Sequence, residues 1–168
     1  EISACLVGSE MCIRDSDVYV PEKVFAELGA KRVDLKTLLR ESDIVSLHVP
    51  LTKETKDLIG EKEFKLMKKT AFLVNTARGG VVSKDALHQA LTTGEIRAAA
   101  LDVFWIEPPD PQDALFKLKN LIQSPHIGSV TYEAYDNIAK IVAKNVDRVA
   151  KGLPPEPCLN PSVVPRKG

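Results

Sequence analysis

The chain has 168 residues, 44% of them hydrophobic and 27% charged, with Lys plus Arg equal to Asp plus Glu at 23 each. This is the make-up of one globular domain with a sizeable core, and the even charge excludes a general pull toward nucleic acid or an anionic membrane. No apolar run reaches the roughly 20 residues of a spanning helix, and Cys5, Cys12 and Cys158 with three scattered histidines fit neither a zinc site nor a disulfide framework. An odd count of cysteines points to a reducing compartment, most simply the cytoplasm.

Taken in order, the first segment does not read like protein. Leu6 to Ser16 spells LVGSEMCIRDS, which has neither helical nor strand periodicity. It looks like a one-frame translation of a sequencing-library adapter, so 1–16 is set aside as a non-native scar. On that expectation Cys5 and Cys12 carry no meaning, and the native start of the gene is missing.

From Asp17 the pattern becomes regular. Pro21 to Leu28 predicts a short helix closed by Gly29. Asp34 predicts the cap of a second helix, Leu35 to Glu41. DIVSLHV at 43–49 is an apolar strand ended by Pro50. Glu61 to Lys69 is helical, with Phe64, Leu66 and Met67 inward. AFLVNTA at 71–77 is the second strand, and Ser83 predicts the cap of a helix running to Leu91 and stopped near Gly94. AAALDVF at 98–104 is the third strand, and LIQSP from 121 is the fourth. Thr131 to Lys151 is the longest helix, with an apolar stripe of Ala134, Ile138, Ile141, Val142, Val146 and Val149. The proline-rich tail reads as extended over the surface. Helices alternate with strands that are apolar at nearly every residue. That implies parallel strands buried on both faces, the doubly wound α/β plan.

In such sheets ligands bind beyond the carboxyl ends of the strands. Those ends deliver His48 to Thr52, then Thr76 to Gly80, then Asp102 and Glu107, then His126 and Gly128. An arginine, a carboxylate and a histidine therefore converge on one edge. Arg78 offers a planar fork that matches a carboxylate bidentately. Gly79 and Gly80 let backbone approach a ligand closely. Imidazole exchanges protons near neutral pH, which suits His126 to proton transfer. Glu107 placed beside it would favour the protonated ring and orient it. Asp102 inside an apolar strand needs a partner, either a buried hydrogen bond or a cofactor amide. Taken singly, each residue has a bland explanation: a solvated turn for Glu107, a structural corner for His126, a structural role for His48, a wet helix face for His88. Their joint arrangement is what points to chemistry.

At these residues the chain resembles the D-isomer-specific 2-hydroxyacid dehydrogenases, and most closely their glyoxylate and hydroxypyruvate reductases. The matching segments are SLHVPLTKET at 46–55, NTARGGVV at 75–82, ALDVFWIEPP at 100–109 and SPHIGSVT at 124–131. The resemblance implies that Arg78 binds the substrate carboxylate, that His126 is the catalytic histidine and that Glu107 is its acidic partner. Asp102 would hold the nicotinamide carboxamide, and Pro50, Thr76, Ala77, Arg78, His126 and Gly128 would line the cofactor. Asp17, in DVYVP, lines up with the ribose-binding acid. An acid there favours NAD over NADP, because it repels a 2′-phosphate, although NADP stays open. Trp105 would shape substrate access. The implied activity is hydride transfer between NAD(H) and a small 2-hydroxy or 2-keto acid.

The family's GxGxxG phosphate loop is absent, and Gly8 belongs to the scar. The implied fold is a partial Rossmann sheet lacking its first strand–helix unit. Residues 17–130 would be the C-terminal part of the NAD-binding domain, and 131–168 would return toward an absent substrate domain. The apolar stripe of the last helix would then be exposed. The parent would be a cytoplasmic homodimer binding neither nucleic acid, membrane nor metal. The chain alone is expected to bind no cofactor. The alternative in a different class is a dinucleotide-sensing corepressor-like binding protein of the same family.

Overall fold

A computed structural model describes residues 12–158. Residues 1–11, which hold most of the segment expected to be a scar, with Cys5 and Gly8, lie outside the described residues, as does the tail from 159. The chain divides into two compact units, Glu1–Gly128 and Ser129–Gly168.

The first unit opens with β1 (Arg14–Asp15), α1 (Glu22–Glu27) and β2 (Lys31–Arg32), the two short strands pairing in parallel. The expectation that 6–16 forms no element is therefore corrected at its end, where Arg14 also pairs with Glu41 at 2.8 Å. Next come α2 (Leu35–Glu41), β3 (Ile44–Leu47), α3 (Glu61–Phe64), β4 (Phe72–Asn75), α4 (Lys84–Thr93), β5 (Ala98–Leu101) and β6 (Leu121–Gln123). The last four strands form one parallel sheet in the order β3-β4-β5-β6, with Ile44 opposite Phe72 and Phe72 opposite Ala98. Their carboxyl ends therefore share one edge.

Local chemistry sets the boundaries. Asp34 accepts from the Thr37 N–H at 3.0 Å and so starts α2. Ser83 occupies the cap position of α4, but its side chain accepts no capping bond, contrary to expectation. Gly94, at φ +71°, ends that helix in a left-handed turn that a side chain would strain. The helix expected over 61–69 is only four residues long. Glu63 caps it through the Gly60 N–H at 3.1 Å. Leu66 and Met67 then bond three residues back, to Glu63 and Phe64, so the chain tightens out of α-geometry. Phe64 and Met67 still point inward, as their spacing implied.

The core lies on one face of the sheet. Val45, Leu47, Leu73, Ala99 and Leu101 are buried there with Leu39 of α2, Phe64 of α3, and Leu87 and Leu91 of α4. The opposite face is open: Ile44, Phe72 and Ile122 are exposed. The expectation of strands buried on both faces is corrected accordingly. An apolar strand reports what it can bury, not what covers it in a given chain. Leu73→Ala should therefore cost about 2–5 kcal/mol through the lost packing and the cavity left behind. Phe72→Ala, one residue away on the open face, should cost less than ~1 kcal/mol. Urea unfolding of the two variants checks the contrast.

The second unit is α5 (Tyr132–Ala150), capped by Thr131, which accepts from the Ala134 N–H at 3.1 Å. Ile138, Ile141, Val142, Val146 and Val149 are exposed, the apolar patch anticipated from the stripe. The start of the tail does not run free. Glu156 N–H donates to Asn145 at 2.8 Å and Arg148 pairs with Glu156 at 2.8 Å, folding it back along the helix. No helix among the described residues is long and apolar enough to cross a membrane.

Candidate active site

Four loops leave the shared edge, and the sequence of each explains its shape. After β4, the buried Asn75 organises the turn. Its side-chain amide donates to Arg78 O at 2.9 Å, its oxygen accepts from Ala77 N–H at 3.0 Å, and its backbone carbonyl accepts from Asp102 N–H at 3.0 Å. This role was missed in the sequence, where the signal was one amide at the end of an apolar strand. Arg78 projects from the turn, exposed, with Nη1 donating to Ala77 O at 2.6 Å.

A Cβ on Gly79 would lie 2.2 Å from the Phe104 carbonyl carbon, and one on Gly80 would lie 3.0 Å from a Leu51 methyl. Both glycines make room for the protein's own chain. Trp105 locks the same junction, its indole N–H donating to Val82 O at 2.7 Å. Trp105 thus ties the Arg78 turn to the turn that bears Glu107.

β5 ends at Leu101, three residues earlier than predicted, so Asp102 stands just past the strand. It is buried, and its carboxylate accepts from Ser124 Oγ at 2.6 Å, Ile127 N–H at 2.9 Å and Gly128 N–H at 2.8 Å. Burial pushes this carboxyl up, but the Ser124 hydroxyl and the Gly128 and Ile127 N–H groups together outweigh it and hold it below the usual range.

Glu107 and His126 meet as the sequence suggested. His126 Nδ1 lies 2.8 Å from Glu107 Oε2, while Glu107 Oε1 accepts from the Phe104 N–H at 3.0 Å. The bond from His126, and next that from Phe104, holds the Glu107 carboxyl below its usual range; the nearby Arg78 charge acts in the same sense. An ionised carboxylate only accepts, so Nδ1 carries the proton. Nε2 makes no hydrogen bond among the described residues and is the nitrogen left for a ligand.

A carboxyl held low in the folded chain stabilises it fully above its unfolded value, and that stabilisation is lost as pH falls through the lowered folded value. Acidification from about pH 5 to about pH 3 should therefore lower stability to urea, and less steeply in Glu107→Gln.

The other expected residues fall as follows. Pro50, Thr76, Ala77 and Arg78 line a cleft of about 610 Å³ together with His48, Val49 and Leu51. His48 bonds Ser46 Oγ at 2.9 Å. Asp17 follows β1 and uses Oδ1 to accept from Tyr19 and Val20 N–H at 2.6 and 3.0 Å; Oδ2 has no such bond among the described residues. Gly128 packs on Asp102, where a Cβ would approach Oδ2 to 2.9 Å. No cluster of metal-binding side chains occurs among the described residues.

Comparison with known proteins gives the family. Residues 1–128 match the family described as D-isomer specific 2-hydroxyacid dehydrogenase, NAD binding domain. A glyoxylate reductase of Thermococcus litoralis is 55% identical over 138 residues, 82% of this chain and 41% of that protein. A D-3-phosphoglycerate dehydrogenase of Archaeoglobus fulgidus is 44% identical over 166 residues, 98% of this chain and 32% of that protein. The crystal structure of D-lactate dehydrogenase from Aquifex aeolicus complexed with NAD and lactic acid superposes with a TM-score of 0.75 at 36% identity, covering 84% of this chain and 47% of that one. The chain thus spans less than half the length of these relatives. It belongs to the D-isomer specific 2-hydroxyacid dehydrogenase family, through that family's NAD-binding domain.

Proposed function

We propose that the protein of which this chain is a part transfers a hydride between NAD(H) and C2 of a small 2-hydroxy or 2-keto acid such as glyoxylate or hydroxypyruvate. The observation that carries this is the Glu107–His126 hydrogen bond at the strand edge shared with Arg78. Residues 17–130 supply the cofactor side and 131–168 return to a substrate domain.

The residues suit a dinucleotide. The cleft after β3 and β4 is open, Asp17 keeps one carboxylate oxygen outside its own turn, and Gly128 leaves backbone close to Asp102. Pro50, Thr76, Ala77, Asp102 and Gly128 would hold the cofactor, and Asp17 would bind a ribose hydroxyl, favouring NAD over NADP. When bound, the nicotinamide supplies or accepts the hydride. In the reducing direction Arg78 clamps the substrate carboxylate, and His126 Nε2 gives its proton to the oxygen on C2. Glu107 holds the ring through Nδ1 and stabilises its charged form. In the oxidising direction His126 takes the hydroxyl proton.

Glyoxylate-dependent oxidation of NADH by the full-length gene product tests this reading. Turnover with glyoxylate or hydroxypyruvate is expected, and no turnover with any small keto acid would sink it. The parent would be a homodimer in the cytoplasm, which light scattering and fractionation check.

A further inference from the structure

Asp102 has a role that its expected contact with the cofactor leaves out. Its carboxylate is the hub of the loop after β6. Oδ1 accepts from Ser124 Oγ at 2.6 Å and from Ile127 N–H at 2.9 Å, and Oδ2 accepts from Gly128 N–H at 2.8 Å. His126 lies between these anchors.

The anchored residue is also strained. His126 has φ +56°, a left-handed conformation that a residue with a side chain rarely adopts unless its surroundings impose it. The loop is drawn tight around the carboxylate. Gly128 leaves no room for a side chain there, since a Cβ would come within 2.9 Å of Oδ2. With the backbone turned this way, the ring reaches across to Glu107 at 2.8 Å.

We propose that Asp102 is a positioning residue, which holds the 124–128 loop in the strained turn that brings His126 Nδ1 onto Glu107. This rests on the reading of His126 as the proton carrier. An ionised carboxylate is suited to the task because three donors converge on it from one short loop. An asparagine has a single acceptor oxygen and sets an NH₂ group against at least one of those donors. The left-handed turn would then lose the contacts that oppose its strain.

The test is made on the 168-residue chain by NMR. In the unsubstituted protein the Ile127 and Gly128 amides should exchange slowly, and the His126 Nδ1 proton should give a downfield resonance from its bond to a carboxylate. Asp102→Asn should raise exchange at both amides about tenfold or more and abolish the downfield resonance. Ser124→Ala removes one of the three bonds and leaves the carboxylate. It should raise exchange at the same two amides by a smaller factor while the far-UV spectrum stays unchanged. If Asp102→Asn fails to fold, Ser124→Ala decides. Unchanged Ile127 and Gly128 exchange in the variant that folds would overturn the proposal, as would a persistent Nδ1 resonance in Asp102→Asn. A general loss of stability would not by itself move that resonance in a protein that remains folded. Keto-acid turnover is not used here, so an inactive gene product with an intact loop would defeat the functional reading alone.

Discussion

His126→Ala should lower glyoxylate reduction by the full-length gene product by about 10²–10⁴-fold in kcat, with NADH binding within a few-fold of the parent. The size follows from what the imidazole is asked to do. Delivery of a hydride to C2 builds negative charge on the oxygen, and a positioned acid neutralises that charge as it forms. Neither Arg78 nor Glu107 can take over. Arg78 does not give up a proton near neutral pH, and Glu107 is held ionised by its bond to His126. Glu107→Gln should act more weakly in the same direction, because the amide still orients the ring but supplies no charge. Arg78→Gln should instead raise KM for the keto acid as well as slow turnover, because the guanidinium fork is lost from the substrate's carboxylate. Steady-state kinetics together with calorimetric NADH binding check these outcomes. If His126→Ala abolished NADH binding, the division of roles between proton carrier and cofactor cleft would be wrong.

The parts of this molecule that were legible in the sequence are those governed by short-range rules. Asp34 announces its helix because its side-chain oxygen sits within reach of the orphan N–H groups of the first turn. The four strands of the main sheet are apolar runs between turn residues, and their common direction follows from the helices and loops that join them. The meeting of Glu107 and His126 followed from the rule that parallel strands deliver their carboxyl ends to one edge. Illegible parts depend on what the chain meets elsewhere. Periodicity could not tell that Ile44 and Phe72 would lie open, because both faces of each strand are apolar. It could not tell that Glu61–Phe64 would stop after one turn, a boundary set by the tightening at Leu66 and Met67. Asn75 looked like part of a motif and proved to be the clamp that shapes the Arg78 turn. Asp102 inside an apolar strand called for a buried bond or a ligand, and the sequence did not show that three donors of one loop would converge on it.

Gly79→Ala should be the most damaging single methyl in the site, costing ~3 kcal/mol of folding stability. Its added carbon would stand 2.2 Å from the Phe104 carbonyl carbon, 2.3 Å from its oxygen and 2.6 Å from the Trp105 nitrogen. All three are backbone atoms, so no side-chain rotation relieves the overlap. Either the Arg78 turn or the 102–107 turn must move. Gly80→Ala is the matched control. Its Cβ would meet only the methyls of Leu51, the nearest at 3.0 Å, and a leucine side chain can give way by a few tenths of an ångström. That variant should lose under ~1 kcal/mol. The conformational explanation predicts the reverse of a general intolerance to residue replacement in the motif, since the two glycines are neighbours in the same loop. Urea midpoints separate the cases. The damage from Gly79→Ala should also reach the chemistry, because Glu107 follows Phe104 by three residues and bonds its N–H at 3.0 Å. A displaced Phe104 carries that carboxylate away from His126. The downfield Nδ1 resonance should therefore weaken in Gly79→Ala at temperatures where the chain is still folded, and stay intact in Gly80→Ala. Equal stability of the two variants would show that the close approach of the two turns is not what fixes the Arg78–Glu107 edge.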